Sequence, residues 1–327
     1  MSLARYTFVV HADWSVTPAK RWRASARRTG EGWRIEAARQ VGPAETFLAD
    51  MRAEAAGGTA LVGADLPLGV PLAWAEKAGV DNFPAALRRF GEGPWRDFFR
   101  PAAARSEISL RRPFYPAAPG GRLQSHLTEA LGVANMDALR RRCDFDETGA
   151  RAATPLFWTL GGAQVGKAAL TFWRDALQPA LDAPFLALWP FAGALQELGK
   201  NGGVVLAETY PGEVYDWLDL DLRRARRGKL RRSKRRQGDR ALEADRLHAA
   251  GRSVNGRFDA DASRQIVEGF PEGEDDAFDA MVGLLGLLLT LEGARPENLP
   301  DDPAVRSVEG WIMGRAAGPR VSNGAAP

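Results

Sequence analysis

Five carboxylates stand where this sequence could use them for chemistry: Asp13, Asp65, Glu208, Asp276 and Asp279. Asp13 follows the apolar run Phe8-Val9-Val10, Asp65 closes the run before Pro67, and Glu208 closes the run Val204 to Ala207 before Pro211. Asp276 and Asp279 are one helical turn apart at the head of an apolar stretch, so their side chains share a face. If the five converge, their repulsion has to be offset, because two unit charges about 4 Å apart interact by roughly 4 kcal/mol at an effective dielectric of 20. Magnesium or manganese meets that need, since both favour carboxylate and water oxygens. A pair of such ions stabilises the attacking and leaving oxygens of phosphodiester hydrolysis. Asp13 also has an ordinary reading, as a strand-end or turn residue, and the first acids of the helix, Asp275 above all, read as caps facing the positive end of the dipole. Asp279 resists that reading, because it falls inside an otherwise apolar helix.

The elements that must position these acids can be read from the pattern. TFVVHADWS, WRASARR and WRIEAARQV, with a turn at Thr29-Gly30-Glu31-Gly32, predict three antiparallel strands. Residues 43–56 carry apolar positions at helical spacing and stop at Gly57-Gly58. TALVGADLPLG and GGVVLAETYPGEVY read as strands buried on both faces, each delivering an acid at its C-terminal end. That is the edge where open α/β sheets place ligands. EGEDDAFDAMVGLLGLLLTLEG is the final periodic element, a buried helix.

Composition allows an ordinary soluble globular protein. The 327 residues are 45% hydrophobic, enough for a full core. One cysteine, Cys143, excludes an intramolecular disulfide, and the three dispersed histidines lack structural-zinc spacing. The N-terminal apolar run is too brief for a secretory signal, and the stretch from Ala277 to Leu291 falls short of the roughly 20 residues that span a bilayer. The expected location is the cytoplasm, with no membrane association. Residues 223–240 hold 11 Lys or Arg against one Asp, so the remainder carries 33 basic and 40 acidic residues: the body is acidic and the basicity local.

The ordered set ADWS, GADLPLGVP, AETYP, EDDAFDAM and VEGWIM, spread over most of residues 5–315, resembles the bacterial and archaeal domain-of-unknown-function family 429. Its members are described as predicted nucleases with a ribonuclease-H-like fold. EDDAFDAM looks like the terminal helix motif of the Holliday-junction resolvases of that superfamily, which implies that Asp276 and Asp279 complete a metal site. Asp13 matches the superfamily's first-strand aspartate, and Asp65 and Glu208 match acids on later strands. Which of the last two is a direct ligand stays open.

Gly161 to Lys167 has the spacing of a phosphate-binding loop, but Ala168 stands where Ser or Thr should hold magnesium, which argues against a nucleotide loop; the family resemblance includes a QVGKAAL-like segment and implies a helix start near the active cleft instead. Lys167 is then a candidate phosphate contact. Arg105, Arg111 and Arg112, beside Phe114 and Tyr115, offer the cation and aromatic mix used on single strands. The basic stretch could track a nucleic-acid backbone or be a solvated helix or loop.

The expected architecture is α/β: a ribonuclease-H-like mixed five-stranded sheet with helices on both faces (residues 1–74 and 201–315), a helical insertion lobe (75–200) and a disordered tail (316–327). The expected function is a metal-dependent nuclease using magnesium or manganese on nucleic acid. The alternatives are a nucleotide-using phosphotransferase or ATPase of the actin-like group and a non-catalytic nucleic-acid-binding protein.

Overall fold

A computed structural model describes residues 6–146, 152–160, 165–200, 202–222 and 232–318. Its centre is an α/β arrangement around one sheet of seven strands in the order β5-β6-β4-β1-β2-β3-β7. The strands are β1 (Tyr6–Asp13), β2 (Trp22–Thr29), β3 (Gly32–Gln40), β4 (Thr59–Ala64), β5 (Leu186–Leu188), β6 (Gly203–Glu208) and β7 (Gly256–Phe258). β1, β2 and β3 pair antiparallel, while β4 is parallel to β1 and β6 is parallel to β4. The expected count of five is corrected to seven. The added edge strands, β5 and β7, are three residues each, too short to show an alternation in the sequence.

Side chains on a strand alternate between faces, and the register shows which residues share one. Val9, His11 and Asp13 lie level with Ala26, Ala24 and Trp22 of β2. This row faces the long helix Asp275–Leu291, whose Gly283 sits against the His11 ring. Phe8, Val10 and Ala12 lie level with Arg27, Ser25 and Arg23 on the opposite face. There the helix Phe47–Glu54 packs, with Glu54 accepting from Arg27 at 2.9 Å and also from Arg23. Helices therefore cover both faces.

The long helix is fixed at both ends and in the middle. Before its first turn, Glu274 accepts from the Trp22 indole at 2.9 Å; after its last, Glu292 accepts from Arg28 at 2.6 Å and from the Trp33 indole at 2.9 Å. In the middle, a Cβ at Gly283 would fall 2.3 Å from the His11 ring. Both ring nitrogens of His11 are buried, and among the described residues neither makes a well-formed hydrogen bond. Burial lowers its pKa to about 3, against the opposing pull of the Ala280 carbonyl, so the ring is a neutral packing surface.

The chain divides into two compact units: residues up to Asp65 with Pro184–Ala187 and Ala194–Glu297, and Leu66–Ala183 with Leu188–Gly193 and everything from Asn298. The division falls after Asp65 where the sequence suggested residue 74, and the segment after Glu297 groups with the second unit. That unit has short helices, including Leu72–Ala78, Gln124–Leu131 and Val165–Phe172, around an aromatic core of Trp74, Phe90, Phe98, Phe114, Phe157 and Trp173. The VEGWIM segment belongs there, its Gly310 at φ +67 lying where a Cβ would strike the Leu68 carbonyl. Of the expected tail, 316–318 are irregular and 319–327 lie outside the described residues. Among the described residues, no helix is long and apolar enough to cross a membrane.

Gly283→Ala is expected to lower stability by about 1–3 kcal/mol through overpacking, measured by urea unfolding. Adding His11→Ala removes the ring that the new methyl meets, so the double variant should lose less than the two single losses added together. Strict additivity would contradict the packing account.

Candidate active site

The pinned helix sets the geometry of the acids. Four helical residues rise about 6 Å and two strand residues span about 6.6 Å. With Gly283 seated on His11, Asp279 is therefore carried back along the helix to the level of Asp13. β4 brings the next acid: the Asp65 backbone N–H donates to the Ala12 carbonyl at 3.1 Å, and His11 is level with Gly63. Gly63 faces Leu287 of the long helix, and Asp65, two residues on, continues that row.

Electrostatics records the same convergence. Burial pushes the Asp13 carboxyl well above its usual pKa, and the charges of Asp279, Asp65 and Asp276 push it further, while Lys234 acts in the opposite direction. Asp276 is raised to about 6, by burial first and then by Asp275 and Asp279, with Lys234 and Lys20 opposing. Asp65, Asp276 and Asp279 thus lie close enough to Asp13 for their charges to act on it, all four within the first unit.

Glu208 stands differently. It is level with Ala64 of β4, and Ala64 is level with Ala12 of β1, so the pleat assigns Glu208 to the opposite face from Asp13 and Asp65. It is buried at 3% exposure.

Asp279 is held at both oxygens. The Tyr215 hydroxyl donates to Oδ1 and the Lys234 ammonium to Oδ2; Lys234 also lies 3.6 Å from Asp275. Tyr215 sits on the helix Pro211–Trp217, its ring edge-on to Phe278 at 5.8 Å. Burial works against the charge of Lys234, yet Asp279, then Asp13 and Asp275, raise its pKa above the ordinary lysine value. Neither residue was singled out in the sequence. Lys234 is concealed within a basic run that reads as solvated charge, and Tyr215 follows the AETYP motif without a signal of its own.

The donor set suits a hard divalent cation, because its groups are carboxylates, and the Lys234 ammonium already stands among them as a positive charge. As the side chains lie, no group of three or more His, Cys, Asp or Glu among the described residues is placed to hold an ion.

The proposed phosphate contacts belong to the second unit. Lys167 lies in the helix Val165–Phe172; most of the glycine-rich run before it, 161–164, is outside the described residues. Arg105 is paired with Glu129 at 2.5 Å. Arg112 is paired with Glu107 at 3.4 Å and donates to the carbonyls of Arg100 and Pro101. Arg111 lies over the Trp95 ring at 3.9 Å. Of the basic stretch, 223–231 lie outside the described residues.

The folded-state pKa of Asp276, about 6, exceeds its ordinary value of 3.8. The folded form therefore binds this proton more tightly, and the stability it contributes is present below about pH 4 and is lost as pH rises through about 6. In metal-free buffer the melting temperature of the native protein should fall relative to that of Asp276→Asn across this window. A constant difference would remove the basis for placing Asp276 among the other acids. Comparison with known proteins finds no family model, no curated protein and no solved structure that matches the chain.

Proposed function

We propose that the protein is a metal-dependent nuclease that hydrolyses phosphodiester bonds, built on a ribonuclease-H-like sheet and akin to domain-of-unknown-function family 429. The observation that carries this reading is the gathering of Asp65, Asp276 and Asp279 around the buried Asp13, acids from three distant stretches of chain brought level by the β1–β4 register and the Gly283–His11 contact. The sheet supports it: three antiparallel strands are followed by two parallel ones, β4 and β6, in the order β6-β4-β1-β2-β3 within the larger sheet.

Asp13 and Asp279 would hold magnesium or manganese, with Asp65 and Asp276 beside them. When bound, such ions make a water more acidic and neutralise charge that develops on the phosphate. The chain's own residues set the stage. Tyr215 orients Asp279 through its hydroxyl, and the His11 and Gly283 contact keeps Asp279 level with Asp13. Asp65 is preferred over Glu208 as the later-strand ligand, because the pleat turns it to the same face as Asp13.

The partner we assign is nucleic acid. Of the insertion arginines, Arg111 suits a phosphate best, since Arg105 and Arg112 are ion-paired with acids of their own unit.

Single-stranded, duplex and branched DNA and RNA incubated with manganese should be cut by the native protein. Residues that merely support metal ligands are worth about 10–100-fold, so Asp13→Asn and Asp279→Asn should each lower the rate by at least about 100-fold. Cutting that survives both substitutions would defeat the site. Thermal stabilisation by magnesium-ATP without any cutting would move the assignment to a phosphotransferase.

A further inference from the structure

The placement of Lys234 is built rather than incidental. Its carbonyl accepts from Arg240 at 2.5 Å, and Arg240 is fully buried, its guanidinium also donating to the carbonyls of Gly269 at 2.6 Å and Pro271 at 2.7 Å. These two carbonyls lie in the loop that leads into the long helix. On either side of Lys234 the backbone N–H of Ser233 donates to Asp239 at 2.8 Å and the Arg236 guanidinium donates to the same carboxylate at 2.6 Å. Arg232 donates to the fully buried Glu243 at 3.1 Å. Residues 232–236 are therefore a strap fastened on both flanks, with the Lys234 side chain delivered onto Asp279.

That delivery bears on what Asp279 can offer. Its Oδ1 takes the Tyr215 hydroxyl and its Oδ2 takes the ammonium, so both oxygens are engaged. An ion held by Asp13 and Asp279 would lie beside a like charge as long as the ammonium remained. Lys234 is 38% exposed at the side chain, against 8% for Asp279. It ends a flexible four-carbon stem, so the ammonium can swing away while its backbone stays clamped by Arg240.

We propose that Lys234 is a tethered counter-ion that occupies the acidic site in place of a divalent cation and has to leave Asp279 before that cation is held. The inference rests on the reading of these acids as a metal site and adds a regulation to it: metal loading is opposed from within the chain. Anything that draws the strap's cations outward, above all a polyanion such as a nucleic-acid backbone, then favours loading.

The test is the manganese affinity of the full chain, measured by calorimetry and by the electron paramagnetic resonance of free Mn2+. Lys234→Met removes the competing charge and should tighten binding by at least about tenfold, equivalent to about 1.4 kcal/mol. Lys234→Arg keeps the charge and should bind near the native value. Lys234→Gln, which keeps a donor for Asp279 without the charge, takes the place of the Met variant if that variant does not fold without metal. Manganese should also raise the melting temperature of the neutral variant more than that of the native protein. Equal or weaker binding by a folded neutral variant would overturn the counter-ion role and leave the nuclease reading standing. Tighter binding with no cutting of any nucleic acid would support the counter-ion role and remove the nuclease reading. No saturable manganese binding by any of these proteins would overturn both.

Discussion

The long helix can lie on β1 only because Gly283 has no side chain where it crosses the His11 ring. From that contact the rest of the site follows by simple rise per residue: one helical turn back from Gly283 is Asp279, and two strand residues on from His11 is Asp13. Trp22 and Glu274 hold the entry of the helix, and Arg28, Trp33 and Glu292 hold its exit. Small residues on β2, Ala24 and Ala26, lie level with His11 and Val9 on the same face, leaving room for a helix buried nearly throughout. The aromatic and carboxylate anchors are at the two ends, where indole N–H groups can reach acids beyond the apolar contact.

This packing forces like charges together. Asp13 and Asp276 are both harder to ionise than isolated aspartates, and burial is the first cause in each case. The repulsion is balanced from inside the chain by Lys234, whose ammonium is close enough to Asp279, Asp13 and Asp275 to feel all three. Breaking a buried ion pair by removing one partner is costlier than never having built it. The fully buried Arg240, which clamps the Lys234 backbone from 6 residues away, ties that local balance to the loop preceding the long helix.

Much of the frame was legible in the residues, and the failures share a physical cause. β2 and β3 show alternation, β1, β4 and β6 show apolar runs, and the helix Asp275–Leu291 shows a long apolar stretch. β5 and β7 exist through pairing with neighbours rather than through local pattern. In the second unit, the helix Gln124–Leu131 stops at Gly132, which takes a left-handed conformation at φ +66. In the sequence Glu208 and Asp65 look alike, because both end apolar strands. A strand end fixes the edge of the sheet but not the face, and parity of register separates the two acids. Lys234 was hidden by composition: within a run of 11 cations, nothing local distinguishes the one that tertiary contacts turn inward.

The most direct test is crystallographic. Crystals grown with manganese, with diffraction recorded at its absorption edge, are expected to show an anomalous peak with carboxylate oxygens of both Asp13 and Asp279 at about 2.0–2.3 Å and the Lys234 ammonium moved away from Asp279. A peak confined to other residues, with Lys234 still bonded to Asp279, would contradict the claim that these acids converge to hold a divalent cation.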